Sequence, residues 1–147
     1  MLSREEIAAL IPHQGTMCLL ERVVEWNAER VIAATRTHCS PENPLRSAAR
    51  LRSLMLCEYG AQAMALHGGL TAQAAGRRAQ PGMIVSLRDV QLHRDYVDDL
   101  GGELIVEARR LLAGASSWQY SFSVQHSGAL LAAGRAAVIQ RRSEPSD

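Results

Sequence analysis

The chain has 147 residues, 47% of them apolar, and a formal charge of +1, which fits one globular domain with a buried core and gives no electrostatic footprint for nucleic acid. No apolar run approaches the length that crosses a bilayer, and Met1 to Leu10 lacks the charged start and long apolar block of a secretory leader, so a cytoplasmic location is expected. Cys18, Cys39 and Cys57 are odd in number and lack metal-ligand spacing, which suits reduced thiols, and with no lysine anywhere a Schiff-base mechanism is excluded.

Ser3 followed by Glu6 is a capping-box pattern, so a short helix is expected to open the chain and to close at Pro12. Two β-compatible runs, Met17 to Trp26 and Arg30 to Thr37, flank Asn27-Ala28-Glu29 and read as a hairpin with Val31, Ala33 and Thr35 on one face. The polar, proline-containing stretch from His38 to Arg50 reads as a loop. A long apolar helix follows from about Leu51 to His67, ended by Gly68-Gly69, with Thr71 to Pro81 as a connector. Strands are expected over Met83 to Leu92, Glu103 to Leu112, Ser117 to Gln125 and Leu130 to Ile139. In the third of these Trp118, Tyr120, Phe122 and Val124 alternate with polar residues, and Leu104, Val106 and Ala108 repeat the pattern more weakly, the mark of a sheet with one buried face. The polar tail from Arg141 to Asp147 is expected to fray. The element order, a hairpin, one long helix and a four-strand antiparallel meander, predicts an α+β fold in which a sheet wraps around a helix.

Glu58 interrupts the longest apolar stretch, Leu54 to Leu66. A carboxylate removed from water costs several kcal/mol unless it is paired, hydrogen-bonded or protonated. Gln62, four residues on, projects from the same helical face. From spacing alone this acid and amide read either as a functional pair or as the solvated face of an amphipathic helix. Tyr59 and Cys57 are rotated off that face and read as core.

Several segments carry a family likeness. Ile11-Pro12-His13-Gln14 followed by Met17 to Val23, the Glu58-Tyr59-Gly60-Ala61-Gln62 helix motif, the Val97 to Leu104 turn and Gly134-Arg135-Ala136 together resemble the hotdog-fold dehydratases of the FabZ type. Those enzymes act on 3-hydroxyacyl chains carried by acyl carrier protein, and the likeness is closer still to the dehydratase-like proteins of aryl-polyene pathways. The resemblance implies a hotdog fold and dehydration to the trans-2-enoyl thioester. It also implies acyl carrier protein as partner, a homodimer or a mixed assembly with another dehydratase subunit, and no metal or redox cofactor. Dehydration asks for a base beside the thioester carbonyl and an acid at the 3-hydroxyl. Glu58 would be that acid, with Gln62 orienting it or the departing water.

The family's catalytic histidine stands in a histidine-phenylalanine-proline-glycine motif before the helix, where this chain reads Glu42-Asn43-Pro44-Leu45-Arg46. The base is therefore sought elsewhere, first at His13 and second at His38, whose alternative is a plain surface histidine. His67 is read as serving the end of the helix, and His93 and His126 receive no role. Backbone N–H groups at Leu51, Arg52, Ser53 and Leu54 would polarise the thioester carbonyl, as the family implies. Arg46, Arg50, Arg52, Arg77 and Arg78 suit an acidic carrier surface or a phosphopantetheine phosphate, or are a solvated face. Two other activities fit the same residues. A thioesterase would use Glu58 to activate water, and a non-catalytic subunit would support a competent partner.

Overall fold

The computed structural model describes residues 2–11, 15–78 and 82–140. Ser3 and Glu6 form the expected capping box, and the helix behind it, α1 (Arg4–Leu10), buries Ile7. β1 (Arg22–Trp26) and β2 (Arg30–Thr35) pair as the expected hairpin, and Asn27 Oδ1 closes the turn by accepting from the Glu29 and Arg30 N–H groups. Val31, Ala33 and Thr35 are buried as the pattern requires. The run before β1 is not strand. Gly15–Met17 is a 3₁₀ turn, and Cys18, Leu19 and Leu20 are buried in irregular backbone, where side chains take backbone groups that a neighbouring strand would otherwise pair: Gln62 the Met17 carbonyl and Leu19 N–H, Arg4 the Cys18 carbonyl, and Thr35 and Thr37 the Leu19 carbonyl.

The long helix, α2 (Leu56–Ala74), begins later and ends later than its sequence suggests. A 3₁₀ turn at Ser53–Met55 leads into it, and it passes straight through Gly68-Gly69. These glycines do not end the helix. A Cβ on Gly69 would lie 2.9 Å from the Leu10 carbonyl oxygen, so this residue lets α1 approach α2. The turn comes instead at Gly76, with φ +72°. Of the expected connector, Thr71 to Ala74 is helix, and Ala79 to Pro81 lie outside the described residues, as does the tail from Arg141.

β3 (Gly82–Leu92), β4 (Leu104–Ala113), β5 (Ser117–His126) and β6 (Ala129–Gln140) match their predicted runs closely. Their order does not match a four-strand meander. The antiparallel sheet runs β1-β2-β4-β5-β6-β3, so β4 pairs with β2 and β3 lies at the opposite edge, beyond β6. The helix explains the displacement: α2 packs across β2, β4 and β5 and delivers the chain to the far edge. The buried face of β5 meets it there. Phe122 sits between Gly60 of α2 and Gly134 of β6, where an added Cβ would come within 2.5 and 2.7 Å of the ring. Tyr59, Ala63, Leu66 and Leu70 complete the helix side of a core shared with Val106, Ala108 and Val124. Among the described residues no helix is long and apolar enough to cross a membrane, and no group of three ligand-type side chains is placed to hold a metal ion.

Candidate active site

Glu58 lies in the first turn of α2, half-buried, where the positive end of the helix dipole favours a carboxylate. It lines a cavity of about 600 Å³. From Glu58 the cavity follows one face of the helix past Ala61, Ala65, Gly68 and Ala72, small residues that leave the volume open. Trp118 and Tyr120 of β5, Ile84 of β3 and Val138 of β6 form the facing wall. Arg77, Arg78, Arg110 and Gln140 line it as well. Glu58 is the one carboxylate among these lining residues.

Gln62 is fully buried and turned away from that cavity. Its Oε1 accepts from the Leu19 N–H at 2.9 Å and its Nε2 donates to the Met17 carbonyl at 2.6 Å. Both ends of the amide therefore tie the opening segment of the chain to α2, one turn from Glu58. His13 belongs to that segment but lies outside the described residues.

The amides before the helix are partly engaged. The Leu51 N–H donates to Asp98 Oδ1 and the Ser53 N–H to the Asp95 carbonyl, each at 2.9 Å. Asp98, noticed in the sequence only as part of a turn, thus fixes the approach to α2. The Leu51 N–H, then Arg50, holds its carboxyl below the usual carboxylate range. Arg52, Ser53 and Leu54 face a second, more open depression together with His93, Arg94 and Tyr96. The Arg50 and Arg52 guanidinium groups lie over the Tyr96 ring, 4.0 and 5.9 Å from its centre. The turn before α2 therefore lines this depression, and the first turn of α2 lines the Glu58 cavity.

The remaining candidates fall elsewhere. His38 is not a surface residue: it is fully buried, its Nε2 is 2.7 Å from the Leu100 carbonyl, and burial lowers its pKa. It lines neither cavity. His67 is not at a helix end either. It is fully buried within α2, its Nε2 2.9 Å from the Asn27 carbonyl and its Nδ1 2.7 Å from the Tyr120 hydroxyl. Burial lowers the His67 pKa and pushes Tyr120 up to about 12. His126 bonds the Gly101 carbonyl. Asn43, in the loop where the family carries its histidine, donates to the Thr37 carbonyl and the Tyr59 hydroxyl, both at 2.9 Å. Arg46 braces the same loop through the Cys39 and Ala49 carbonyls, 3.0 Å each. Trp118, Tyr120 and Arg110 of the cavity wall were not recognisable as site residues. The only signal for Trp118 and Tyr120 was the alternation of β5, which marks a buried face without saying what it encloses, and Arg110 on β4 carried none.

A family described as ApeP-like, ApeP dehydratase, matches residues 5–147. None of the curated proteins matches the sequence. Among solved structures the chain is similar to the dehydratase heterocomplex ApeI:P from Xenorhabdus doucetiae, with 20% identity, 97% of this chain and 93% of that chain covered, and a TM-score of 0.84. It is also similar to AziG from S. sahachiroi, at 17% identity, 86% and 94% coverage and a TM-score of 0.57. A hypothetical thioesterase with coenzyme A from Streptococcus pneumoniae matches at 11% identity, 83% and 88% coverage and a TM-score of 0.59. The six-stranded antiparallel sheet around one long helix is the hotdog arrangement of these neighbours.

Proposed function

Because the chain belongs to the ApeP-like dehydratase family, we propose that it dehydrates 3-hydroxyacyl thioesters carried by acyl carrier protein to the trans-2-enoyl product. The observation that carries this reading is Glu58, a half-buried carboxylate on the wall of an otherwise mainly apolar cavity at the start of α2. In the reaction His13 takes a proton from the carbon beside the thioester carbonyl. The released electron pair forms the double bond, and the 3-hydroxyl leaves as water with a proton from Glu58. Gln62 is a positioning residue that holds the segment following His13 against α2. The carrier's phosphopantetheine arm would lie in the depression beside Arg52 and Arg94, with the acyl chain in the Glu58 cavity and the carbonyl near the start of the helix between them.

The second subunit is proposed at β3. This edge strand exposes Met83, Ile84, Val85 and Leu87, an apolar edge that a solitary chain rarely leaves uncovered. The similarity to a dehydratase heterocomplex supports a mixed assembly. A second reading, a non-catalytic subunit of such a complex, is favoured by Asn43: the loop position where a histidine would act is filled by a side chain engaged in structural hydrogen bonds.

The test is mass-spectrometric turnover of a 3-hydroxyacyl carrier-protein thioester by the chain alone and with a second dehydratase subunit, using wild type, Glu58→Gln and His13→Ala. The reading expects loss of one water, reduced by at least about 100-fold in each variant. Turnover by the complex that is indifferent to both substitutions selects the non-catalytic reading, and release of free thiol selects hydrolysis.

A further inference from the structure

Glu58 marks one end of its cavity, and the other end is basic. Arg77 and Arg78 come from the chain just beyond α2 and Arg110 from β4, and all three face the cavity. Thr71 and Gln140 stand beside them as polar lining. Arg110 is anchored from behind: it donates to the Ala28 carbonyl at 2.9 Å, and it lies beside the Tyr120 hydroxyl. Tyr120 is fixed in turn by His67. The Asn27 carbonyl keeps the imidazole proton on His67 Nε2, so the Tyr120 hydroxyl donates to Nδ1. None of the three guanidinium groups has an ion-pair partner among the described residues. Between the two ends the wall is apolar, from Ala61 to Gly68 on the helix and through Trp118 and Val138 on the sheet. At the helical rise, the span from Glu58 to Ala72 is about 20 Å.

Arg110 is half-buried and has N–H donors beyond the one bonded to the Ala28 carbonyl, so a methyl-ended chain reaching this end would displace water from those donors and offer no acceptor in its place, which is unfavourable. An oxygen there would be met by planar, charged donors. We infer that the Arg77, Arg78 and Arg110 end of the cavity is a binding site for an anionic or hydrogen-bond-accepting oxygen at the distal end of the acyl chain. The identity of the ligand as an acyl chain rests on the proposed dehydratase function; the basic end itself does not.

The test uses pantetheine-linked 3-hydroxyacyl amides of one length, ended by methyl, hydroxyl or carboxylate, titrated calorimetrically into the full chain. The amide replaces the thioester, so binding is read without turnover. The carboxylate-ended amide is expected to bind at least about 10-fold more tightly than the methyl-ended one, and a hydroxyl preference of similar size would identify a neutral acceptor instead of an anion. In Arg110→Met, and in the exposed pair Arg77→Ala with Arg78→Ala, the preference is expected to shrink to within about 2-fold. Equal binding of methyl-ended and oxygen-ended amides, binding of none of them, or a preference untouched by both variants overturns the inference. So does a preference that disappears when the second subunit is added, since the arginines then serve a carboxylate of that subunit. The matching thioesters separate the two proposals: absent turnover with the binding preference intact discards the dehydratase reading and leaves the distal site standing.

Discussion

The amide of Gln62 is bipolar, and both its ends are bonded to backbone, to the buried Leu19 N–H and to the carbonyl of exposed Met17. Gln62→Leu keeps the volume but leaves the buried Leu19 N–H without its acceptor, and is expected to lower stability by about 2 kcal/mol, measured by urea unfolding. Glu58→Gln changes a cavity-lining carboxylate with access to water and should shift the same midpoint by less than about 1 kcal/mol. The two residues that share a helical spacing are thus expected to separate by measurement, one into stability and one into turnover. That division was not legible in the sequence. The spacing of four placed both side chains on one side of α2, but the partners of Gln62 lie 43 and 45 residues away along the chain.

Adjacent glycines of α2 make opposite predictions at the scale of the element. A Cβ on Gly69 would press on the Leu10 carbonyl oxygen of α1 at 2.9 Å, whereas one on Gly68 meets nothing within 4 Å. Gly69→Ala is expected to destabilise by about 1–3 kcal/mol through overpacking. Gly68→Ala is expected to stabilise by about 0.5–1 kcal/mol, because alanine has fewer unfolded conformations to lose. Thermal unfolding of the pair checks both signs, and equal shifts would contradict the packing described. In the sequence the Gly-Gly pair has the form of a helix stop. Only the crossing of α1 over α2 shows that one glycine is an approach point and the other is open to the cavity. The strands were easier to locate, since the alternation of Trp118, Tyr120, Phe122 and Val124 is local, but their order in the sheet is not a local property.

For the whole molecule, the buried histidines set the response to acid. His38 and His67 are both fully buried, and both have pKa values lowered from the ordinary 6.5 by burial. In the unfolded chain they take up protons as the pH falls through about 6.5, while in the folded chain they remain neutral to lower pH. Stability is therefore complete above that value and declines below it, by at most about 1.4 kcal/mol per histidine for each pH unit. Asp98 and Glu103, whose pKa values are lowered by the Leu51 N–H and by Arg22, add their own loss only as the pH falls through the carboxylate range. The melting temperature is expected to drop between pH 7 and 5.5, before Asp98 or Glu103 titrates; a flat profile across that interval would count against neutral, buried imidazoles.

The amino-acid sequence by itself determined the hairpin, the capping box, the one long apolar helix that carries Glu58, and the four later strands, because each follows from propensity, periodicity or turn chemistry within a few neighbouring residues. It also carried the family likeness that the match over residues 5–147 bears out. The tertiary structure decided that β3 crosses to the far edge, that His38 and His67 are buried, that Gln62 clamps the opening segment, and that Arg110 from β4 joins Arg77 and Arg78 at one end of a cavity that Glu58 lines at the other. Each of these depends on contacts between residues far apart in the chain, and those contacts are set by how the whole apolar surface is buried at once rather than by any local pattern.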